Sequence, residues 1–272
     1  MAPLFTLPIP PLNAHVGGNI VCTEPAPAVY LLTFTSPPDN RLTTAFCNAL
    51  LDALDLLEFG GYTPGAVVTT SGTPKFYSNG LDLEHALSIE TFLPRVLYKL
   101  FNRFLTYPMP TVALLNGHAF AGGLMLAMHH DYRVMNAARG FACINELEFG
   151  VPLKPAMSAV FRLKLPAATY RTLVLEAHRF DGVAAVAGGI ADAVGGLDEV
   201  LALVAQRKLT TKAKTGVYGF LKAEMYRESV ELLSEEGHLR EEKRAKDGMD
   251  AEEGRRWVAD ERLKEIKGRA KL

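Results

Sequence analysis

Cysteine is scarce in this 272-residue chain: Cys22, Cys47 and Cys143 stand far apart, with no C-x-x-C pair. An odd, widely spaced set offers no framework to staple a secreted domain, so reduced, buried thiols are expected. Lys and Arg are missing from the first forty residues, which gives neither the basic start of a secretory signal nor an Arg-rich presequence. Neither sign of charge dominates, since 29 Lys and Arg face 30 Asp and Glu for a net charge of -1. No global field therefore draws nucleic acid or an anionic membrane, and an anionic ligand must be held by local groups. Long apolar runs are also absent. The longest mostly apolar stretch, Ala119 to Met128, contains two glycines and reaches about half of the roughly 20 residues that a membrane span needs. Two sequence signatures are missing as well: no G-x-S-x-G elbow supports a serine hydrolase, and no G-x-G-x-x-G after a strand supports a nicotinamide or flavin fold.

What remains is a chain that is 49% hydrophobic and long enough to bury a full core. Val29 to Phe34, Ala66 to Thr70 and Thr111 to Leu115 read as strands from their β-branched and aromatic content. Ser36-Pro37-Pro38-Asp39-Asn40 is a turn-rich stop. Helical spacing of Phe46, Ala49, Leu50, Ala53, Leu54 and Leu57 predicts a helix from about Thr43 to Leu57, ended by Gly60-Gly61. A second helix is expected near Ile89 to Leu105. Strand, glycine-bearing loop and helix recur, which argues for an α/β core. Beyond Gly195-Gly196 helical patterns take over, so the chain divides into a core, 1–196, and a helical region, 197–272. That region holds helices near Leu197 to Val204 and Gly216 to Leu233, then a charge-dense tail laid over another surface or simply solvated.

Three segments carry chemistry. Phe76 to Leu83, containing Ser78-Asn79-Gly80-Leu81-Asp82, and Asn116 to Gly123 each place a glycine after a strand, where an unpaired amide N–H is available. Two such donors converging on one oxygen form an oxyanion hole, in which each donor is worth roughly 3 to 4 kcal/mol. The third segment, Asn145 to Pro152, supplies Glu146 and Glu148 as possible general bases. Residues two apart on an extended segment share a face, whereas a turn would separate them, so both glutamates stay open at this point, with Glu146 ranked first on its motif.

K-F-Y-S-N-G-L-D-L, N-G-H-A-F-A-G-G-L-M-L-A, the following H-D-Y-R-V, and N-E-L-E-F-G-V-P, in that order over about residues 28 to 190, resemble the enoyl-CoA hydratase/isomerase, or crotonase, superfamily. The resemblance implies a spiral of ββα units with a C-terminal helical region used in assembly as a homotrimer or hexamer. It also implies an acyl-CoA substrate whose thioester carbonyl sits between the amides of Leu81 and Gly122. The loop Ser78, Asn79, Gly80, Leu81 and Asp82 is implied to touch the adenine and pantetheine parts of CoA. No cofactor is implied beyond the CoA carried by the substrate. Where hydratases of this kind carry one of their two glutamates, this chain has Met125. The other family glutamate matches Glu146, although Phe149 replaces the leucine that follows it in the motif. A single carboxylate suits migration of a double bond, and N-E-x-x-x-G-V-P looks most like the mitochondrial and plant peroxisomal Δ3,Δ2-enoyl-CoA isomerases. A yeast-like isomerase group takes its carboxylate from farther on, where this chain has Lys154 beside Pro155.

On this reading Phe149, Leu147 and Ile144 supply an apolar pocket that lifts the pKa of Glu146. Ala270-Lys271-Leu272 resembles the S-K-L address read by the peroxisomal import receptor, which points to a peroxisomal location. His129-His130-Asp131 is not expected to bind metal, because adjacent helical residues point apart. His118 is read as structural, and Lys222 as a solvated lysine or a contact to a CoA phosphate. Two rival functions stand beside isomerisation: a hydratase-like or secondary-metabolic CoA enzyme, and a noncatalytic acyl-CoA-binding homologue.

Overall fold

The computed structural model describes residues 2–269, so the Ala270-Lys271-Leu272 signal lies outside the described residues. Among these, the strands are β1 (Phe5–Ile9), β2 (Gly18–Ala26), β3 (Val29–Thr35), β4 (Ala66–Ser71), β5 (Phe76–Ser78), β6 (Thr111–Leu115), β7 (His118–Phe120), β8 (Tyr132–Met135), β9 (Ala142–Cys143) and β10 (Ala193–Val194). Seven of them form one sheet in the order β1-β2-β3-β4-β6-β8-β10, and β5-β7-β9 form a second. The first two pairings, β1 with β2 and β2 with β3, are antiparallel; from β3 onward every neighbour is parallel. From β4 the chain visits the large sheet, then the small one, then a helix, three times in succession. That is the expected spiral of ββα units.

The sequence explains the layering. β4 and β6 are buried along their whole length, as parallel strands covered on both faces must be. On one face Phe34, Leu32 and Val67 meet α1 (Thr44–Phe59), α3 (Tyr98–Thr106) and α4 (Gly122–His129) through Phe46, Leu50, Phe101 and Leu126. On the other, Val29, Val68, Val112 and Val134 meet Val200, Val204 and Leu209, from α9 (Leu197–Gln206) and the 3₁₀ turn Leu209–Thr215. The start of the C-terminal region thus packs directly on the sheet. Helix α1 begins where the Thr43 hydroxyl accepts a hydrogen bond from Phe46 N–H, 3.3 Å, and ends at Gly60. The cysteines are free and buried.

Two expected helices differ from the sequence pattern. The segment foreseen as Ile89 to Leu105 is helical only from about Leu93, as a π-helical turn at Leu93–Leu97 that runs directly into α3; a separate short helix, α2 (Leu83–Ser88), precedes it. Pro94 at the start of that turn lacks the N–H that would continue an upstream helix. The segment foreseen as Gly216 to Leu233 splits into α10 (Tyr218–Met225) and α11 (Arg227–Leu232) at Tyr226, whose φ of -110° and ψ of 24° leave the helical region. The Tyr226 ring lies 4.8 Å from the Lys164 ammonium. The charged tail is one helix, α12 (Glu235–Arg269). Its first turns touch the body through Arg95–Glu235 (3.4 Å), the edge-to-face contact of His238 with Tyr98 and the Lys154–Glu242 ion pair. From 243 to 267 its side chains are exposed, except for Glu261.

Lys222 is not solvated, and its ammonium is taken up by protein groups. It is buried, its Nζ 2.9 Å from the Asp131 carboxylate and donating to the Phe104 carbonyl at 2.8 Å, so burial lowers its pKa. Asp131 in turn accepts from Thr111 N–H at 2.9 Å, which ties α10 to the start of β6. Replacing one member of a buried pair strands the other. Lys222→Met should therefore cost about 3–5 kcal/mol of unfolding free energy, measured by urea denaturation. A second tight point lies where α4 crosses β5: a methyl on Gly123 would run into the Ser78 carbonyl, whose carbon lies 2.8 Å from the added atom. Gly123→Ala is expected to destabilise the fold by about 1–3 kcal/mol and to lower Tm accordingly.

Candidate active site

Register in the small sheet brings the three segments together. Phe76 lies opposite His118, Ala119 opposite Ala142 and Phe120 opposite Cys143. Leu81, Gly122 and Glu146 each follow their strand, β5, β7 or β9, within three residues. All three therefore emerge side by side at the carboxyl edge of parallel strands, the usual place for ligands in such sheets.

They line one cavity of ≈ 710 Å³, together with Asn79, Asp82, Ala121, Met125 and Asn145. Neither the Leu81 nor the Gly122 N–H donates to an acceptor among the described residues. The two amides are close: a methyl built on Gly80 would lie 2.9 Å from the Gly122 nitrogen, and one built on Gly122 would lie 3.4 Å from the Leu81 nitrogen. Gly80 has φ +81°, which favours glycine, so absence of a side chain serves both the turn and the gap. Ala121 takes φ 49° and ψ -124°, a conformation L-residues rarely hold. Two bonds fix it there: its N–H donates to Cys143 O at 2.9 Å, and its carbonyl accepts from Met125 N–H at 3.0 Å. The turn leaves Gly122 as the first residue of α4, where the amide has no intrahelical acceptor and the helix dipole adds positive character.

Glu146 opens α5 (Glu146–Phe149), a single helical turn rather than an extended segment. Glu146 and Glu148 consequently diverge, since two helical residues are separated by about 200°. Glu148 is exposed and pairs with Arg179 at 3.4 Å, whereas Glu146 faces the cavity. The Glu146 Oε2 atom is buried with no hydrogen-bond partner, and so is Asn145 Oδ1. Burial pushes the Glu146 carboxyl up to about 7. The apolar surroundings differ from those expected. Ile144 is buried, and Phe149 lines the cavity although it is 67% exposed, whereas Leu147 is exposed and does not line it. Met125, Leu153, Met157, Leu93 and Ala86 are among the other apolar lining residues, and Lys154 also reaches the cavity.

The expected contact loop divides by role. Asn79, Leu81 and Asp82 line the cavity. Ser78 and Gly80 do not: the buried Ser78 hydroxyl donates to Asn40 O at 2.8 Å and accepts from Gly80 N–H at 3.2 Å. Both shape the loop from behind. Burial alone would raise the Asp82 carboxyl, yet bonds from His85 N–H (3.0 Å) and His15 Nε2 (2.7 Å) hold it below its ordinary value. His15 and Arg41 also line the cavity, and neither was foreseen. Only the turn-rich sequence before Asn40, which adopts φ 52°, hinted that the chain folds back there.

Several discounted groups are accounted for by packing. His129 stacks on Phe101 (4.2 Å between centroids) and His130 on Phe104 (4.0 Å). Burial lowers the pKa of both. His118 accepts from Phe141 N–H at 3.1 Å and lies outside the cavity.

The profile of the enoyl-CoA hydratase/isomerase family matches residues 24–257. Enoyl-CoA delta isomerase 3 of Arabidopsis thaliana is 32% identical over 227 residues, covering 78% of this chain and 95% of the relative. The Arabidopsis protein named enoyl-CoA delta isomerase 2, peroxisomal, is 32% identical over 234 residues with the same coverage. Among solved structures, human mitochondrial delta3-delta2-enoyl-CoA isomerase superposes with a TM-score of 0.65 at 20% identity, over 86% of this chain and 98% of the human one. Carried by a match over most of its length and by the loop arrangement just described, the chain belongs to the enoyl-CoA hydratase/isomerase, or crotonase, family.

Proposed function

We propose that the protein is a Δ3,Δ2-enoyl-CoA isomerase that moves the double bond of a 3-enoyl-CoA to C2. One observation carries this reading. Of the two carboxylates lining the cavity among the described residues, Asp82 is engaged by His15 and His85, and Glu146 alone keeps an unpartnered oxygen. The place of a second acid/base group is taken by Met125, buried and unable to activate water. Relatives named enoyl-CoA delta isomerase support the same choice.

In this mechanism the Glu146 carboxylate removes a proton from C2, and the electron pair of that bond moves toward the thioester. Charge collects on the carbonyl oxygen, where the amides of Leu81 and Gly122 each contribute roughly 3 to 4 kcal/mol of stabilisation. Glu146 then returns the proton to C4, giving the 2-trans-enoyl-CoA. A base whose pKa is near neutrality both accepts and returns that proton readily. Ala270-Lys271-Leu272 supports peroxisomal import, in keeping with relatives whose names include the word peroxisomal. Exposed Phe220, Leu221 and Met225 along α10, with Val217 just before it, support self-association as a trimer or hexamer.

Glu146→Gln should lower kcat about 10²- to 10⁴-fold, assayed as conversion of 3-enoyl-CoA to 2-enoyl-CoA. Formation of 3-hydroxyacyl-CoA from 2-enoyl-CoA would instead identify a hydratase, and CoA binding without any turnover a noncatalytic homologue. Because the base must be ionised, kcat/KM should rise with pH through about 7, not through 4 to 5. Stability should move the opposite way. A raised carboxyl pKa leaves the fold unpenalised below 4.5, where the group is neutral in both states, and the penalty grows until the pH passes about 7. Glu146→Gln is thus expected to stabilise the protein by on the order of 1–3 kcal/mol at pH 8, a gain that vanishes at pH 4 in paired denaturation curves.

A further inference from the structure

Leu42 donates its N–H to Gly80 O at 2.9 Å. The Gly80–Leu81 peptide is trans, so its carbonyl and its N–H point in opposite directions. Holding the Gly80 oxygen on Leu42 therefore aims the Leu81 N–H the other way, into the cavity. The two flanking peptides are held as well, by one nitrogen: Arg41 Nη1 donates to Asn79 O at 3.1 Å and to Leu81 O at 2.8 Å. Arg41 is itself fixed, with Nε 3.0 Å from Asp39 Oδ2, and that oxygen also accepts from Asn79 Nδ2 at 2.7 Å. Three successive carbonyls, 79 to 81, are thus drawn onto residues 41 and 42. At the centre stands Gly80, whose backbone would otherwise turn easily.

We infer that Arg41 is a positioning residue that orients the Leu81 amide for the carbonyl oxygen of the substrate, a role that rests on the oxyanion-hole reading above. A guanidinium suits the task because one planar, fixed group holds two carbonyls through Nη1 while its Nε stays on Asp39, a set of three fixed donors that a flexible ammonium does not reproduce. Charge on Arg41 at the rim of the cavity offers a competing assignment, as a contact to a CoA phosphate, and the two assignments separate experimentally.

The test compares wild type, Arg41→Met and Arg41→Lys on 3-enoyl-CoA and on the matching 3-enoyl-pantetheine thioester, which has no phosphate. It also records the infrared carbonyl stretch of bound 1-¹³C-labelled 2-trans-enoyl-CoA, with melting curves to establish that each variant is folded. For a positioning role, kcat falls on the order of 10- to 100-fold by the same factor on both thioesters, and KM rises less than about 3-fold. The carbonyl stretch, shifted to lower frequency in wild type, moves back toward its free value in both variants. Should Arg41→Met not fold, Arg41→Lys carries the same comparison. A rise in KM alone, confined to the CoA thioester and rescued by Arg41→Lys, overturns the inference in favour of a phosphate contact. A wild-type carbonyl with no shift on binding defeats the oxyanion reading itself, whereas a shift retained in the variants defeats only the role given to Arg41.

Discussion

The register of three short parallel strands governs the site. β5, β7 and β9 have only two or three residues each, too few to be stable alone, yet their alignment decides which residues leave the sheet next to one another. Stability comes from α4, which crosses β5 at Gly123 without room for a methyl group, and from the large sheet, to which the chain returns after each visit. A slip of one residue would turn every side chain to the opposite face, and would carry the Leu81 amide, the Gly122 amide or the Glu146 carboxylate out of the common cavity.

Around that register the chain sustains two unfavourable features. Ala121 holds a backbone conformation rarely populated by L-residues, and Glu146 keeps an oxygen buried without a partner. Each is locally costly and each serves the proposed chemistry, the first by exposing an amide and the second by bringing a carboxyl to near-neutral pKa. The buried Lys222–Asp131 pair and the buried strand β4 lie outside the cavity lining.

Much of this was legible in the residues. Strands rich in valine and leucine, the spacing of Phe46 to Leu57, and the three glycine- and glutamate-bearing segments led to the right architecture, and the motifs led to the family. What escaped were properties that depend on distant contacts. The helical pattern near Ile89 gave no sign that the helix would begin only about Leu93, next to Pro94, and with a π-helical turn. Lys222 read as solvated because nothing near it in sequence announces Asp131, 91 residues away. Ser78 looked like a ligand contact, but its hydroxyl turns inward to Asn40. Leu147 shared an apolar segment with Ile144, and only the helical turn at α5 separates them. His15 and Arg41 carry no motif, and they reach the cavity solely because the chain before β2 and the turn after β3 fold over it.

Each of the three groups leaves on its own loop from its own strand, and this separation has a consequence for how the protein can change. The loop after β9 bears the carboxylate, while those after β5 and β7 bear the amides. Residues 145 to 152 can therefore be exchanged, lengthened or stripped of their glutamate without touching the two hydrogen donors. On the proposed reading, one scaffold with two fixed amide donors can thus accept different proton-handling segments, so a new reaction on the same class of ester is reached by rewriting a single short stretch of chain.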